Sequence, residues 1–385
     1  MKLIRWFFTS LLFFACTSPL LAQEPAAVEA AKSDAATAPA TQEPAASQAT
    51  PDAPAATQPA ADQATPHLIL IIGAPGEDRF AAEFSRWAER LENAAAASGV
   101  TSTIIGKSAP AKVAATDAPA TTDPAPANET PNAAKSELQQ TLDAIQQHGS
   151  IPTTEPLWVI FVGHGTFNRK SAALALRGPD LTDQQLADSC KSVTRPLAIV
   201  LCSSCSSPFV NALSGPGRVI VTATKDGNQI QYSRFGDTFS EAIAGLDADS
   251  NRDGQTSLLE AWLYASRRTA EFYKTEGRLA TEHALLEDNG DAKGIKADMY
   301  VGDKPAQNLK ADAPIDGSMA AKLFFVRSEE ERQLTPEQRV TRDALEAQLE
   351  DLKRRKGSMD EATYLQELDR VLMPLAELYR DVRKP

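Results

Sequence analysis

Two short stretches of this chain carry residue types whose spacing could do chemistry. The first reads Asp249-Ser250-Asn251-Arg252-Asp253-Gly254-Gln255-Thr256-Ser257-Leu258-Leu259-Glu260. Asp249, Asn251 and Asp253 put side-chain oxygens at alternate positions, and Gly254 then allows a sharp turn. Gln255 offers its backbone carbonyl, Ser257 reaches through a water, and Glu260 closes the set with two carboxylate oxygens. Hard oxygens in that order suit Ca2+, so a calcium ion held by Asp249, Asn251, Asp253, Gln255, Ser257 and Glu260 is the expected cofactor. Thr256 stands where an apolar residue is usual, and no second loop of this kind pairs with it. An acidic turn that needs no metal is the competing reading.

The second stretch brings an imidazole and a thiol. His164 sits between Gly163 and Gly165, just past the apolar run Trp158-Val159-Ile160-Phe161-Val162. Cys202-Ser203-Ser204-Cys205 follows a second apolar run, Ala198-Ile199-Val200-Leu201. Neighbouring parallel strands place their carboxyl ends side by side, where open α/β sheets bind ligands. A thiol beside an imidazole is activated as thiolate or by proton transfer during attack. Cys205 is therefore the candidate nucleophile and His164 its acid/base, with Cys202 the alternative thiol. Gly163 and Gly165 allow close backbone approach, and the Gly165 N–H could stabilise an oxyanion. Cys202 and Cys205 also have the redox Cys-x-x-Cys form, which in an oxidising compartment could close a disulfide. Plainer roles compete: a loop histidine bonded to the backbone, and a small buried cysteine. Arg177, Arg218 and Arg234 are either pocket cations or surface charges. Thr281-Glu282-His283 with Asp288, Asn289 and Asp291 reads as a further metal or substrate loop, or as a solvated turn.

These groups need a scaffold. Leu68-Ile69-Leu70-Ile71-Ile72 is a continuous apolar run ended by Gly73, Pro75 and Gly76, the mark of a buried parallel strand. Residues 79–96 then show helical spacing through Phe80, Phe84, Trp87 and Leu91. Strands are expected at 101–105, 157–162, 197–201 and 218–221, and helices at 136–148, 182–189 and 207–213. Helical patterns over 239–246 and 258–273 flank the calcium loop. Strands alternating with helices predict an α/β fold with a mostly parallel sheet covered on both faces. At the C-terminus, Thr335-Pro336-Glu337-Gln338 is a capping box opening a helix lined by Leu345, Leu349 and Leu352. Gly357 stops it, Ser358-Met359-Asp360-Glu361 reads as a second capping box, and Leu365, Leu368 and Leu372 continue the apolar face until Pro374 kinks or ends it. The expectation is a helical hairpin for packing or self-association.

Strand, His-Gly, helix, then strand ending in Cys resembles the legumain/caspase clan of cysteine peptidases, its legumain-like branch most of all. The resemblance covers roughly residues 68–243. It implies a caspase-like fold, a peptide or protein substrate, His164 as catalytic histidine, Cys205 as nucleophile and Gly165 as the glycine after the histidine. The calcium loop is similar to that of EF-hands. Two functions stay open: a calcium-binding cysteine endopeptidase, and a non-catalytic module that binds a partner with calcium as a structural clamp.

The rest bounds the setting. Of 385 residues, 51 are acidic and 39 basic, a net charge of −12 that argues against a nucleic-acid binder. Lys2 and Arg5 precede a short apolar stretch, 6–15, and Leu20-Leu21-Ala22 suits cleavage before Gln23, so 1–22 reads as a secretory signal. Periplasmic or extracellular export follows, with lipoprotein anchoring through Cys16 the lesser alternative. No other stretch is apolar enough to span a bilayer. Residues 23–66, rich in Ala, Pro, Thr and Gln, read as a disordered tether, and 108–132 as a flexible insert of like composition. The folded domain is expected over 67–302, a linker over 303–334 and the hairpin over 335–385. After signal removal three cysteines remain, which cannot all pair internally.

Overall fold

The computed structural model describes residues 65–107, 135–306 and 316–382. The expected signal 1–22 with Cys16, the tether up to residue 64 and the insert 108–132 lie outside the described residues.

The apolar runs form the strands for which they are suited. β1 (His67–Ile72), β2 (Thr101–Ile105), β3 (Leu157–Val162), β7 (Leu197–Cys202) and β8 (Arg218–Thr222) are the parallel core of one sheet. The helices between them are α1 (Asp78–Ala97), α2 (Glu137–Gly149), α3 (Asp183–Ser189) and α4 (Pro208–Leu213). A small antiparallel ribbon, β4 (Gly165–Phe167), β5 (Ala172–Leu174) and β6 (Leu181–Thr182), leaves the end of β3. After β8 come α5 (Phe235–Ala244), α6 (Leu258–Thr275), β9 (Leu285–Glu287), β10 (Ile295–Lys296) and the pair β11 (Tyr300–Val301) and β12 (Lys304–Pro305). α7 (Glu329–Gln333), α8 (Pro336–Arg355) and α9 (Glu361–Val382) complete the chain.

The seven-stranded sheet runs β10-β9-β8-β7-β3-β1-β2, with β9 and β10 antiparallel at one edge. Because side chains alternate along a strand, each central strand feeds two cores. Leu68, Leu70, Trp158, Ile160, Ala198, Val200 and Val221 pack under α1, α5 and α6; Ile69, Ile71, Val159, Phe161, Ile199, Leu201 and Ile220 pack under α2, α3 and α4. The α/β architecture expected from the strand and helix alternation is the one found.

Three expectations need correction. The stretch 303–334 is not a free linker in its described part. Ala320 and Phe325 are buried in the first core, Phe325 meets Trp158 edge-on at 5.3 Å, and Leu323 O accepts Leu258 N–H at 2.8 Å. Apolar residues spaced irregularly over a strap give no period to read, which is why the sequence pattern missed them. The capping box at Thr335 is present, but the second helix is capped by Asp360, whose Oδ1 accepts Thr363 N–H at 3.0 Å, and Ser358 instead donates to Arg355 O. Pro374 lies inside α9, which continues to Val382. On that helix Val371 is buried and Leu368 partly buried, whereas Leu365 and Leu372 are exposed, so of the expected face only Leu368 packs, together with Val371. Among the described residues no helix is long and apolar enough to cross a membrane.

Candidate active site and calcium loop

β3 and β7 pair in parallel with Val162 opposite Cys202, so the loops that follow them leave the sheet together. Gly163 N–H donates to Cys202 O at 3.4 Å. Gly165 N–H donates to Ser204 Oγ at 3.3 Å, and the Ser204 hydroxyl donates back to Gly165 O at 3.0 Å. Gly165 is required here: a Cβ on it would stand 2.1 Å from Ser204 O. The histidine loop and the cysteine loop are therefore stitched side by side, as the two apolar runs implied.

Cys205 sits in the turn between β7 and α4 with φ +54°, a left-handed conformation unusual for a residue with a side chain. The turn is held from beneath. Ser206 Oγ donates to Ser203 O and accepts Ala223 N–H and Thr224 N–H, while Thr224 Oγ1 accepts Ser206 N–H. Burial pushes the Cys205 thiol above the ordinary range, Ser204 pulls it down by a hydrogen bond, and Asp226 pushes it up again. Its thiol points at Gln229 O, 3.9 Å away.

His164 takes another direction. Its Nε2 lies 3.2 Å from Pro75 O, and its ring stands edge-on to Phe80 and Phe84, at 4.7 and 5.1 Å, with Tyr232 at 6.3 Å. Burial holds its pKa below the usual imidazole value, opposed by the Pro75 carbonyl and Glu77. No hydrogen bond joins His164 to Cys205. The sequence pattern thus brings the two loops together but not the two side chains in this state.

Cys202 belongs to the core beside Trp87 and Phe235, and burial followed by Glu282 drives its thiol far above the ordinary range. Cys190, Cys202 and Cys205 are free thiols, so no disulfide joins Cys202 to Cys205. The three arginines have structural duties. Arg218 donates to Leu213 O and Cys190 O, Arg177 to Ile72 O and Gly106 O, and the Arg234 guanidinium lies 4.2 Å over the Phe272 ring. Arg177 also lines a cavity of about 360 Å³ at the carboxyl ends of β1 and β2, with Gly73, Pro75 and Phe84.

Glu282 and His283 are not in a solvated turn. The buried Glu282 carboxylate accepts Arg234 N–H, Phe235 N–H, Ser233 Oγ–H and Tyr273 Oη–H, capping the amino end of α5 from a distant segment. Gln229 Nε2 donates to His283 Nδ1 at 2.7 Å. Asp288 caps the 316–320 turn through Gly317, Met319 and Ala320 N–H groups, and Asp316 Oδ1 accepts Asp288 N–H in return. Gln229 had no signal in the sequence, because it meets Cys205 through its backbone.

The expected calcium loop lies between α5 and α6. Gly254 has φ +86° and Arg252 φ +61°, so the chain turns sharply where Gly254 was expected to allow it. Asp249 Oδ1 accepts Arg252 and Asp253 N–H, and its Oδ2 accepts Gly254 N–H. Asn251 Oδ1 accepts Asp253 N–H. Ser257 caps α6, and Glu260 completes a capping box with it while its other oxygen accepts Ser250 and Asn251 N–H. Gln255 Oε1 accepts Ser328 N–H. Burial first, and then Glu260 and Asp249, raise Asp253. The donors are hard oxygens in the right order, which fits Ca2+. Among the described residues no three His, Cys, Asp or Glu side chains already stand as a metal-holding group.

No protein-family model and none of the curated proteins matches this chain. It is similar to several solved structures. The Drosophila initiator caspase Dronc aligns at 12% identity and TM-score 0.38, over 60% of this chain and 82% of that one. Caspase-1 from Spodoptera frugiperda aligns at 12% and 0.35, over 64% and 92%. A protein from Geobacter sulfurreducens aligns at 11% and 0.35, over 57% and 92%.

Proposed function

We propose that this chain is an exported, calcium-binding cysteine endopeptidase of caspase/legumain-like design, in which Cys205 attacks a peptide carbonyl and His164 handles the proton. The observation that carries the reading is the φ +54° turn at Cys205, between a strand and a helix, stitched through Ser204 to the loop that bears His164. A nucleophile raised on a sharp strand-to-helix turn is the arrangement acyl-transfer enzymes use to expose the attacking atom. In the chemistry, the thiol proton passes to imidazole as sulfur bonds to the carbonyl carbon, and the same imidazole protonates the leaving amine. The Gly165 N–H, which donates to Ser204 Oγ at 3.3 Å in this structure, is the candidate donor to the oxyanion once that bond is released. Asp249, Asn251, Asp253, Gln255, Ser257 and Glu260 would hold Ca2+, which supplies a structural clamp between α5 and α6. Export and the peptide substrate rest on the sequence reading.

The second reading, a non-catalytic binding module of the same design, is favoured by one observation: the thiol is buried, and the His164 ring turns to Pro75 O instead of to it. Incubation of the purified chain with a mixed peptide library, read by mass spectrometry, separates the two. The peptidase reading expects new termini that disappear with Cys205→Ala and with His164→Ala but persist with Cys202→Ala. Cleavage unchanged in Cys205→Ala discards Cys205 as the nucleophile, and no cleavage by either the wild type or Gln229→Met, which frees the carbonyl over Cys205, in 1 mM-scale calcium (roughly saturating for ordinary sensor loops), leaves the binding module.

A further inference from the structure

The groups around Cys205 are occupied by the chain itself. Cys205 N–H donates to Gln229 O at 3.1 Å, and the Cys205 thiol lies 3.9 Å from the same oxygen. One carbonyl therefore takes both the sulfur and the adjacent backbone N–H. The N–H contact is the one the oxygen of an attacked carbonyl would make, since a nucleophile's own N–H is a ready oxyanion donor, while the thiol meets this carbonyl at its oxygen and not at its carbon. Cys205 is accordingly only 1% exposed, although the turn that carries it is shaped to present a side chain.

The carbonyl is held in place by the rest of Gln229. Its Oε1 accepts Lys225 N–H at 2.8 Å, which closes the 225–229 loop on itself, and its N–H donates to Asp226 O. Its Nε2 donates to His283 Nδ1 at 2.7 Å, which ties the loop to the segment before β9. That bond needs an imidazole whose Nδ1 is unprotonated. Burial, Lys225 and Lys296 hold His283 below the usual imidazole pKa, with Asp298 and Asp226 opposing, which favours the neutral ring; Gln229 Oε1 already accepts from Lys225, so Nε2 is the atom turned to His283 Nδ1. On the other side Gly227 packs against the Phe167 ring so closely that a Cβ would stand 2.2 Å from it. The loop is clamped between the histidine-side ribbon and the β9 edge, directly over the thiol.

We infer that residues 225–229 form a built-in stopper on Cys205, with the Gln229 carbonyl standing where a substrate carbonyl would bind and the Gln229–His283 hydrogen bond as its latch. The inference rests on the peptidase reading for its purpose, though not for its test. His283 is a positioning residue, acting on Cys205 only through Gln229. Opening needs no unfolding of the core: once the latch breaks, the loop swings from Cys205 and a peptide carbonyl can take its place.

The three buried thiols make the test specific. The full chain is pulsed with iodoacetamide, quenched, and the alkylation of Cys190, Cys202 and Cys205 is read separately by peptide mass spectrometry. Gln229→Met and His283→Phe remove the latch while keeping bulk, and Ile230→Ala, at a residue 66% exposed, is the control. Breaking a net-favourable hydrogen bond of this kind should speed Cys205 alkylation about tenfold in either variant. Cys190 and Cys202 should stay at their wild-type rates, and the double variant should be no faster than either single one. A Cys205 rate within about twofold of wild type, a double variant at the product of the two singles, or all three thiols accelerating together would each overturn the latch. Iodoacetamide needs no catalytic machinery, so a Cys205 that is unmasked by these variants yet cleaves no peptide would keep the stopper and discard the peptidase.

Discussion

Replacing Gly165 by alanine probes the seam between the histidine loop and the cysteine loop. The new methyl would stand 2.1 Å from Ser204 O and 3.2 Å from Ser203 Oγ. Carbon and carbonyl oxygen ordinarily meet at about 3.3 Å or more, so one strand end must move by roughly 1 Å. Neither can move freely. β3 and β7 are paired over their whole length, and Ser206 and Thr224 tie the turn after β7 to the end of β8. The strain should cost about 1–3 kcal/mol. For a chain of this size that corresponds to a fall in Tm of roughly 2–4 °C per kcal/mol. Urea unfolding and thermal scans of Gly165→Ala against wild type measure it. Because the displaced element is the turn bearing Cys205, its alkylation rate should rise as well. An unchanged midpoint together with an unchanged Cys205 rate would refute the seam.

Other outcomes follow from the same structure. His67 stacks on His148 at 3.5 Å, and burial, His148 and Arg195 lower its pKa to about 4. The unfolded chain takes up that proton first, so stability should be lost as pH falls from 6.5 toward 4, by about 1–2 kcal/mol after solvent screening; urea midpoints across that window should show a slope that flattens in His67→Gln. Glu282→Ala leaves two backbone N–H groups at the start of α5 and two hydroxyls without their acceptor, at a cost of roughly 2–4 kcal/mol; an unfolding midpoint within error of wild type would contradict the capping role. Calcium at ~100 times its dissociation constant should add about 2–3 kcal/mol of stability, seen as a rise in Tm on adding CaCl2. Asp249→Asn should remove that increment, whatever it does to the baseline, and a wild type indifferent to both CaCl2 and chelator would discard the calcium site.

The central parallel strands β1, β3 and β7 were legible because each is a nearly unbroken apolar run, which is what burial on both faces demands, while the edge strand β2 reads Thr-Ser-Thr-Ile-Ile and is half exposed. The pairing of the loop that bears His164 with the Cys205 turn followed from those runs, whereas the turn of the His164 ring toward Pro75 O did not. β9 and β10 were not legible: Leu285–Glu287 and Ile295–Lys296 are too short to show a period. Glu282 looked like a surface carboxylate because the helix it caps begins some fifty residues earlier in the chain, a relation no local pattern records. Gln229 was invisible for a stronger reason. It acts through a carbonyl that every residue possesses, and only the path of the loop puts that oxygen on the thiol. The sharp turn at Gly254 was readable, while the use of Glu260 in a capping box with Ser257 gives a duty of its own to a residue proposed as a calcium ligand.

The central claim is that Cys205 is a nucleophile served by His164, and covalent capture tests it most directly. The purified, reduced chain carrying Gln229→Met, which opens the loop over Cys205, is loaded with calcium, treated with peptidyl acyloxymethyl ketones and weighed intact. The account predicts one adduct, on Cys205, lost in Cys205→Ala and in His164→Ala and retained in Cys202→Ala. Folded, calcium-loaded protein that forms no adduct, or that is labelled equally with and without His164, would contradict it.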